Sequence, residues 1–403
     1  MRDRRVLLIV GCAALFAFGA AYYTSPARPG RTSAEGYYGW ADQLNYRLEA
    51  RALRDGVLPG IDYNYDKRHP QPSYDARRRP LYDYSYGLGY PLLAVPTTFV
   101  GMRSDPFALP DALIFVAEIV IVFILGTRLR SLAFGLLAAG ALAFATPLLD
   151  FTVLPWNTSV TTLAILVALL VATDPDEHPV GHGVALGVAV GVCFAARYVD
   201  AVFPAAIGTV GLLSRRPRAL RPLLGAAALT LALAIPVLWS HAVVFGSPLT
   251  TPYAHHERDG TNASDQSLGA FDPGRAPRSF VEDFVTGEYN GARTQGRPML
   301  AAFPWAVFAP VGLFALFRER RPGRLLYAVA AGVSVVGSAF YLSFWAGTGR
   351  DLAFYNLRYF VMWVPLWALL SVYGVVFSVE RMRRDSTEGS VVASDGDLLG
   401  KQE

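Results

Sequence analysis

Ionised side chains are scarce in this sequence. Only 17% of its 403 residues are Asp, Glu, Lys or Arg, whereas a soluble domain carries about 25%. Hydrophobic residues make up 53% of the chain, and the mean hydropathy is +0.32. They are gathered in uncharged blocks long enough for a helix to cross a hydrocarbon core about 30 Å thick. The shortage of charge therefore excludes a soluble globular protein and indicates an all-α integral membrane protein.

Cysteine and several catalytic signatures are also scarce or absent. The chain has two cysteines, Cys12 and Cys193, and both lie within apolar blocks, which argues against a disulfide framework or a cysteine-based metal site. There is no glycine-rich phosphate loop, no Ser/His/Asp order and no nucleotide fingerprint, so a soluble sugar-nucleotide donor is disfavoured. The net charge is +4, but the arginines cluster at the ends of apolar blocks instead of forming one basic face. This distribution disfavours a nucleic-acid partner.

The apolar blocks predict about ten membrane-spanning helices. A further apolar run, Leu88–Val100, contains three helix-disturbing residues and is too short to cross. We expect it to enter the membrane without spanning it. The predicted spans are Val6–Tyr23, Phe107–Gly126, Leu132–Leu149, Val160–Thr173, Gly183–Ala196, Ala201–Leu213, Leu220–Ser240, Met299–Phe317, Leu325–Trp345 and Phe354–Val379.

The distribution of arginine predicts the orientation of these spans. Short cytoplasmic loops hold an excess of Lys and Arg, and ten spans place the basic segments on the side of the two termini. Only the acidic loop Asp174–His178 gives no support. The prediction is a multi-pass protein of the cell membrane with both termini cytoplasmic and two long external loops, residues 24–106 and 246–298. Residues 1–385 form the transmembrane domain, and the polar tail 386–403 is predicted to be disordered.

The first external loop contains a candidate catalytic base, the carboxylate of Asp42. It follows the first span closely, so its carboxylate is expected at the outer membrane surface, where it can accept a proton from a hydroxyl group. The simpler alternative is a solvated acid that stabilises a helix N-terminus. Trp40–Leu53 has apolar residues at helical spacing and predicts a short interfacial helix that would carry Asp42.

Several short motifs follow one another in a recognisable order. The chain resembles the GT-C class of membrane glycosyltransferases, which includes the dolichyl-phosphate-mannose protein mannosyltransferases and the lipid A aminoarabinose transferases. The resemblance covers most of the chain, and its specificity comes from the order of the motifs and the matching topology. These motifs are Asp42…Tyr46…Ala50…Leu53…Gly56, Tyr86–Pro96, Phe245–Leu249 with Tyr253, Pro298–Gly312, Trp345–Gly347 and Leu357–Phe360.

The resemblance implies a function and a set of site residues. A GT-C enzyme takes a sugar from a polyprenyl-phosphate carrier and passes it, with inversion, to a hydroxyl of a lipid, glycan or protein acceptor. Asp42 is then the expected base, and Arg358 and Arg197 are the expected contacts of the carrier phosphate, because a guanidinium binds phosphate bidentately and stays charged. The alternative for each arginine is that it extends to the membrane interface.

Three further residues are candidate substrate contacts. Asp200 is placed to assist acceptor or metal binding, or it simply pairs with Arg197. Tyr90 belongs to a tyrosine-rich stretch that either stacks on sugar rings or forms part of the aromatic belt at the membrane interface, and the belt is favoured. Tyr46, which follows Asp42 by one helical turn, is assigned to substrate binding by the resemblance.

The sequence gives little support for a metal. Many GT-C members carry paired acids where this chain has Asp42 followed by Gln43, which weakens the case for a divalent cation. His255, His256 and Glu257 have no third ligand at the spacing of a known site. Two other functions stay open: a transporter or flippase for a lipid-linked glycan, and a non-catalytic membrane protein of envelope assembly. The transporter would favour charged residues in mid-membrane and broken helices.

Overall fold

Helices account for nearly all of the chain that the structure describes. The structure is a computed structural model, and it describes residues 4–24, 41–56, 73–74, 80–81, 87–102, 105–174, 178–214, 220–251, 271–289, 292–293, 298–343 and 357–399. Two antiparallel pairs of two-residue strands accompany the helices: β1 (Ser73–Tyr74) pairs with β2 (Pro80–Leu81), and β3 (Glu288–Tyr289) pairs with β4 (Ala292–Arg293). The predicted all-α membrane fold is confirmed, as expected for segments whose backbone groups must be paired within lipid.

Ten helices make up the first two thirds of the chain. They are α1 (Arg4–Thr24), α2 (Ala41–Arg54), α3 (Gly89–Phe99), α4 (Ala108–Leu129), α5 (Leu132–Phe144), α6 (Leu148–Thr152), α7 (Thr158–Thr173), α8 (Pro179–Ala196), α9 (Val202–Leu213) and α10 (Leu220–Phe245). The remaining α-helices are α11 (Ala276–Phe280), α12 (Met299–Ala302), α13 (Ala309–Arg318), α14 (Arg324–Leu342) and α15 (Val364–Leu399), and a 3₁₀ turn (Pro273–Arg275) and a π-helical turn (Val281–Thr286) flank α11.

The predicted spans coincide with apolar helices. Five are long and apolar enough to cross a membrane by length and composition: α1, α4, α10, α14 and residues Leu357–Arg384. Five shorter apolar helices fall on the other predicted spans. The chain is therefore a multi-pass membrane protein, and the number of crossings stays a prediction.

Two of the predicted spans are interrupted, contrary to the prediction of continuous helices. The block Leu132–Leu149 divides into α5 and α6 at Pro147, and the block Met299–Phe317 divides at Pro304, where a 3₁₀ turn (Pro304–Phe308) separates α12 from α13. Proline lacks the backbone N–H that an α-helix requires and clashes with the preceding turn. Hydropathy alone does not register this interruption, because proline sits among apolar neighbours.

The helices α2 and α3 pack together in the first predicted external loop. The helix α3 has eleven residues, about 16 Å at 1.5 Å per residue, so it is too short to cross the membrane, as expected of this segment. The predicted helix in Trp40–Leu53 is present as α2. Its residues Tyr46 and Ala50 are buried, so α2 lies against α3 and the rest of the protein.

The last helix differs from its prediction at both ends. Two 3₁₀ turns, Leu357–Tyr359 and Val361–Trp363, precede α15, which then continues to Leu399. The backbone of 386–399 is thus helical where the polar composition predicts disorder. Helix propagation adds one hydrogen bond per residue once a nucleus exists, so a stable membrane helix extends readily into the polar segment that follows it.

Glycines at every fourth position bring α8 and α10 together. A Cβ atom at Gly183 would lie 2.8 Å from the carbonyl oxygen of Pro222, and one at Gly187 would lie 2.8 Å from that of Ala226. Gly191 meets the side chain of Leu233 in the same way. Lipid tails are as apolar as side chains, so helices in a membrane associate through close packing of small residues. This stripe explains why α10 packs mainly on α8.

The predicted cytoplasmic end is tied together by ion pairs. Arg128, at the end of α4, pairs with Asp174, which follows α7, at an Nη2–Oδ1 distance of 3.0 Å. This pair explains how the one acidic loop shares the predicted cytoplasmic face with the basic loops. Glu319 accepts hydrogen bonds from Tyr373 and Arg321. Burial raises the pKa of the Glu319 carboxyl, but these two hydrogen bonds and the charges of Arg321 and Arg130 together outweigh it, and the pKa is lowered.

We expect Gly187→Ala to destabilise the protein, because the added methyl group would collide with the backbone of α10. Gly225→Ala is the matched control: it lies on α10 and its Cβ would meet nothing within 4 Å, so the higher helix propensity of alanine should leave stability unchanged or raise it by up to about 1 kcal/mol. Thermal unfolding in detergent micelles compares the two variants. Equal midpoints would contradict the close-packing interpretation.

Candidate functional site

A buried ion pair lies between α8 and α9. Arg197 ends α8 and Asp200 precedes α9, so the two side chains meet within one short turn, in which the Nε of Arg197 donates to Oδ2 of Asp200. Tyr341, near the end of α14, donates its hydroxyl hydrogen to Oδ1 of Asp200 and accepts a hydrogen bond of 3.0 Å from Nη2 of Arg197. These three side chains form a closed ring of hydrogen bonds that joins α8, α9 and α14.

Thr161 of α7 and Asn157, which directly precedes α7, complete this ring. Thr161 donates to Oδ2 of Asp200 at 2.9 Å, and Asn157 accepts from Nη1 of Arg197 at 3.0 Å. Asp200 is 0% exposed, and its two oxygens together accept three hydrogen bonds. Asp200 therefore pairs with Arg197, the simpler of its two interpretations. The oxygens of this carboxylate are thus occupied by donors of the protein itself.

The second arginine, Arg358, lies in the first 3₁₀ turn before α15. Its guanidinium carbon is 4.9 Å from the ring centre of Trp156 and 4.7 Å from that of Tyr359. Its Nη2 also donates to the hydroxyl of Tyr359 at 2.8 Å. Cation–π contacts of this kind hold the charged plane against the aromatic faces.

Tyr359 connects the two arginines. Its ring stacks on that of Tyr341 with a centroid distance of 4.9 Å and an interplanar angle of 16°. The guanidinium carbon of Arg197 lies 5.6 Å from the centre of the same Tyr359 ring. The structure thus brings together three residues that the sequence predicts as site residues, Arg197, Asp200 and Arg358. We call these three with Trp156, Asn157, Thr161, Tyr341 and Tyr359 the arginine cluster.

Glycines also fix the position of the arginine cluster. A Cβ atom at Gly87 would lie 2.3 Å from the carbonyl oxygen of Ala195, and one at Gly89 would lie 2.6 Å from the carbonyl carbon of Ala195. The start of α3 therefore rests directly on the end of α8, one residue before the turn that begins at Arg197. Only glycine permits backbones to approach so closely.

Asp42 lies in α2, at its second residue. Its side chain is outside the part of the chain that the structure describes, so its role as a base stays a prediction. The helix that carries it packs on α3, and α3 in turn packs on α8 next to Arg197.

Tyr46 and Tyr90 lie in the protein interior. They are 1% and 0% exposed, their rings meet edge to face at 5.1 Å, and the Tyr90 ring stacks on Phe107 at 4.7 Å. The belt interpretation of Tyr90 is wrong, because its hydroxyl turns inward and donates to Asp111, 2.9 Å from Oδ1. In this arrangement neither ring is open to a substrate. Both instead hold α2 and α3 against α4.

A second polar group lies beside these tyrosines, outside the arginine cluster. Tyr22 of α1 donates to Asp105 at 2.6 Å. Burial raises the pKa of the Asp105 carboxyl, although this hydrogen bond and the charge of Arg47 oppose the shift. Within the residues described, no group of three or more His, Cys, Asp or Glu side chains is arranged to hold a metal ion. His255, His256 and Glu257 lie outside that part of the chain.

Solved structures share this architecture. The structure is similar to ArnT from Cupriavidus metallidurans bound to undecaprenyl phosphate, with a TM-score of 0.58 and 15% identity over 97% of this chain and 64% of that one. It is also similar to the archaeal oligosaccharyltransferase AglB from Archaeoglobus fulgidus in complex with an inhibitory peptide and a dolichol-phosphate, with a TM-score of 0.57 and 13% identity over 96% of this chain and 52% of that one.

Both similar proteins belong to the GT-C class of glycosyltransferases. The chain has the GT-C fold. No protein-family model and no curated protein sequence matches it, and it spans less than two thirds of the length of ArnT or AglB. The GT-C fold expected from the order of the motifs is thereby confirmed.

Sequence reasoning missed most partners of the two arginines. Asn157 begins the sequence Asn157-Thr-Ser159, which fits a glycosylation sequon and does not indicate that its side chain donates to the carbonyl of Ala196 at 3.3 Å. Trp156, just before it, and Tyr359, which follows Arg358, are adjacent in sequence to polar residues of the cluster. An aromatic residue next to an arginine or asparagine at a helix end is a usable signal, but it does not identify which aromatic residue meets which arginine.

Glu118 is the most unusual acid of this GT-C fold. It lies at the middle of α4, is 0% exposed, and neither of its carboxyl oxygens has a hydrogen-bond partner among the residues that the structure describes. A polar group buried without a partner is costly. An acid within a membrane helix also suggests a function, such as a proton or ion pathway.

We expect Glu118→Met to stabilise the protein by about 1–3 kcal/mol, because it removes a buried group without partners and fills the same space. The measurement is thermal unfolding in detergent, with Met102→Leu as a control that leaves buried charge unchanged. If Glu118 instead serves an ion or proton pathway, the variant will lose biological activity while keeping its fold, and that result would favour the transporter alternative.

Proposed function

We propose that this chain is a GT-C-type glycosyltransferase. It would transfer a sugar from a polyprenyl-phosphate-linked donor to a hydroxyl group of a lipid, glycan or protein acceptor, with inversion at the sugar carbon. The reaction would take place at the external face of the cell membrane, with both termini of the chain in the cytoplasm.

The arginine cluster is the observation that carries this proposal. It brings two guanidinium groups to one tyrosine ring, and its single carboxylate, Asp200, is engaged by Arg197. Two guanidinium groups therefore lie close together at the predicted external end of the membrane helices. Such a site suits an anion. ArnT and AglB, which share the fold, were solved with undecaprenyl phosphate and with dolichol-phosphate.

The departing phosphate defines the role of Arg358. When the bond between the sugar carbon and the phosphate oxygen breaks, the bonding electrons stay on that oxygen and negative charge develops there. A fixed cation beside the oxygen lowers the barrier, because the interaction is stronger in the transition state than in the bound donor. Arg358 is assigned this contact, and Arg197, anchored by Asp200, adds to the positive potential.

The acceptor requires a base, and we assign Asp42. Its carboxylate would take the hydroxyl proton of the acceptor as the oxygen attacks the sugar carbon from the face opposite the phosphate. The contacts from α2 to α3 and from α3 to the end of α8 support this assignment. Tyr46 and Tyr90 hold α2 and α3 against α4 and are not assigned to substrate contact.

Two observations favour the transporter alternative. A transporter would place an acid within a membrane helix and use broken helices, and the structure has Glu118 in α4 and the interrupted segment α12–α13. The arginine cluster lies instead at the ends of helices. We therefore favour transfer over transport, and the two are separated by whether donor sugar becomes covalently attached to an acceptor.

Arg358→Gln should weaken the binding of undecaprenyl phosphate by about 10- to 100-fold, because a charge-assisted hydrogen bond contributes about 1.5–3 kcal/mol. The affinity of Arg358→Lys should lie between those of the wild type and of Arg358→Gln, since lysine keeps the charge but loses the planar guanidinium group. Titration of the detergent-solubilised protein gives the affinities. Arg278→Gln, which removes an arginine that is 59% exposed and paired with Glu282, is the control. Unchanged affinity in Arg358→Gln would argue against the phosphate assignment.

Asp42→Asn should abolish transfer and leave undecaprenyl phosphate binding intact, because asparagine keeps the size of the side chain but cannot take the acceptor proton. A deletion strain complemented with each variant is compared for surface glycans and accumulated lipid-linked sugars. Asp55→Asn, at the other end of α2, is the control and should restore the glycans. Full rescue by Asp42→Asn would refute the base assignment, and unchanged glycans in the deletion strain would refute the enzyme.

A further inference from the structure

Tyr359 contacts both arginines of the arginine cluster, Arg197 and Arg358. Its ring faces Tyr341 at 4.9 Å, and the guanidinium carbons of Arg197 and Arg358 lie 5.6 and 4.7 Å from its centre. Its hydroxyl accepts a hydrogen bond of 2.8 Å from Arg358. One side chain thus combines stacking, cation–π contact and hydrogen bonding.

The orientation of Arg358 requires such support. An arginine has several rotatable bonds, and ordering a long side chain on binding costs free energy. Bidentate binding of phosphate also needs the guanidinium plane in one orientation. Trp156 and Tyr359 both contact this guanidinium and restrict its rotation.

Tyr359 is itself held by a chain of fixed groups. The ion pair of Arg197 and Asp200 binds the hydroxyl of Tyr341 from both sides. Tyr341 cannot rotate without breaking those hydrogen bonds, so its ring gives Tyr359 a fixed surface to stack on. The buried ion pair is therefore connected to Arg358 through two stacked tyrosines.

We propose that Tyr359 is a positioning residue that orients the guanidinium of Arg358 for an anionic phosphate ligand, and that Tyr341 holds Tyr359 in place. This inference rests on the proposed function, because the ligand is the phosphate of the lipid carrier. Tyr359 need not touch the ligand. It acts through Arg358, and its hydroxyl and its ring contribute separately.

A double-mutant cycle with undecaprenyl phosphate as the probe tests this coupling. Tyr359→Phe, which keeps the ring and removes the hydroxyl, should weaken binding by about 3- to 10-fold in the protein that retains Arg358. In the Arg358→Gln background the same change should have no effect, because the group that Tyr359 orients is gone. Tyr341→Phe should behave like Tyr359→Phe. Tyr327→Phe, a buried tyrosine elsewhere on α14, should leave binding unchanged in both backgrounds.

Equal losses with and without Arg358, or no loss in Tyr359→Phe, would overturn the positioning role. A purely structural role would instead lower the unfolding temperature and weaken binding independently of Arg358. Tyr359→Phe preserves the stacked ring, so the cycle does not depend on a variant that removes the side chain.

The emission of Trp156 supplies a second readout without any ligand. Its contribution is the difference between spectra recorded with and without Trp156→Phe. Tyr359→Leu should displace Arg358 from the indole face and therefore change the Trp156 contribution in the same direction as Arg358→Gln does. Tyr327→Phe should leave the Trp156 contribution unchanged. If the wild type binds no undecaprenyl phosphate, the proposed function fails, and the Trp156 emission alone then tests the positioning role of Tyr359. Unchanged Trp156 emission in Tyr359→Leu would overturn that role.

Discussion

A carboxylate buried at the end of membrane helices needs a cation and hydrogen bonds, because its desolvation is otherwise too costly. Asp200 is fully buried and meets this requirement with Arg197, Thr161 and Tyr341. Its partners come from α7, α14 and the turn that joins α8 to α9. The hydrogen bonds of Asp200 therefore hold three separate parts of the chain together. Tyr341 is one of these partners, and through it Asp200 supports the orientation of Tyr359 and Arg358.

Close packing of backbones gives this arrangement its second constraint. Helices in lipid gain little from burying apolar surface against one another, so their separation is set by which residues allow contact. Gly183, Gly187 and Gly191 seat α8 on α10, and Gly87 and Gly89 seat α3 on the end of α8. The helix that leads into Arg197 is thus held along its length by glycine contacts, while its last residue is held by the ion pair.

Most of the helices, and part of the site, could be predicted from the sequence. Apolar block length identifies helices because it reports transfer into lipid, and the spacing of Arg197 and Asp200 within a four-residue turn predicts their pairing. The pairing of Tyr341 with Tyr359, and of Arg358 with Trp156, depends on how distant segments pack, so no local pattern encodes it. The sequence alone places Tyr90 wrongly at the membrane interface, because an amphipathic ring can lie at the interface or donate to a buried carboxylate.

The two arginines are equivalent in charge but differ in how the protein uses their donors. Arg197 gives Nε and both terminal nitrogens to Asp200, Asn157 and Tyr341, so its in-plane donors serve the fold. Arg358 contacts the faces of the Trp156 and Tyr359 rings and donates from Nη2 to the Tyr359 hydroxyl. Stacking on aromatic faces fixes the orientation of the Arg358 guanidinium plane, and bidentate binding of phosphate requires one fixed orientation. Arg197 is already paired with Asp200, so we assign the phosphate contact to Arg358 and a supporting role to Arg197.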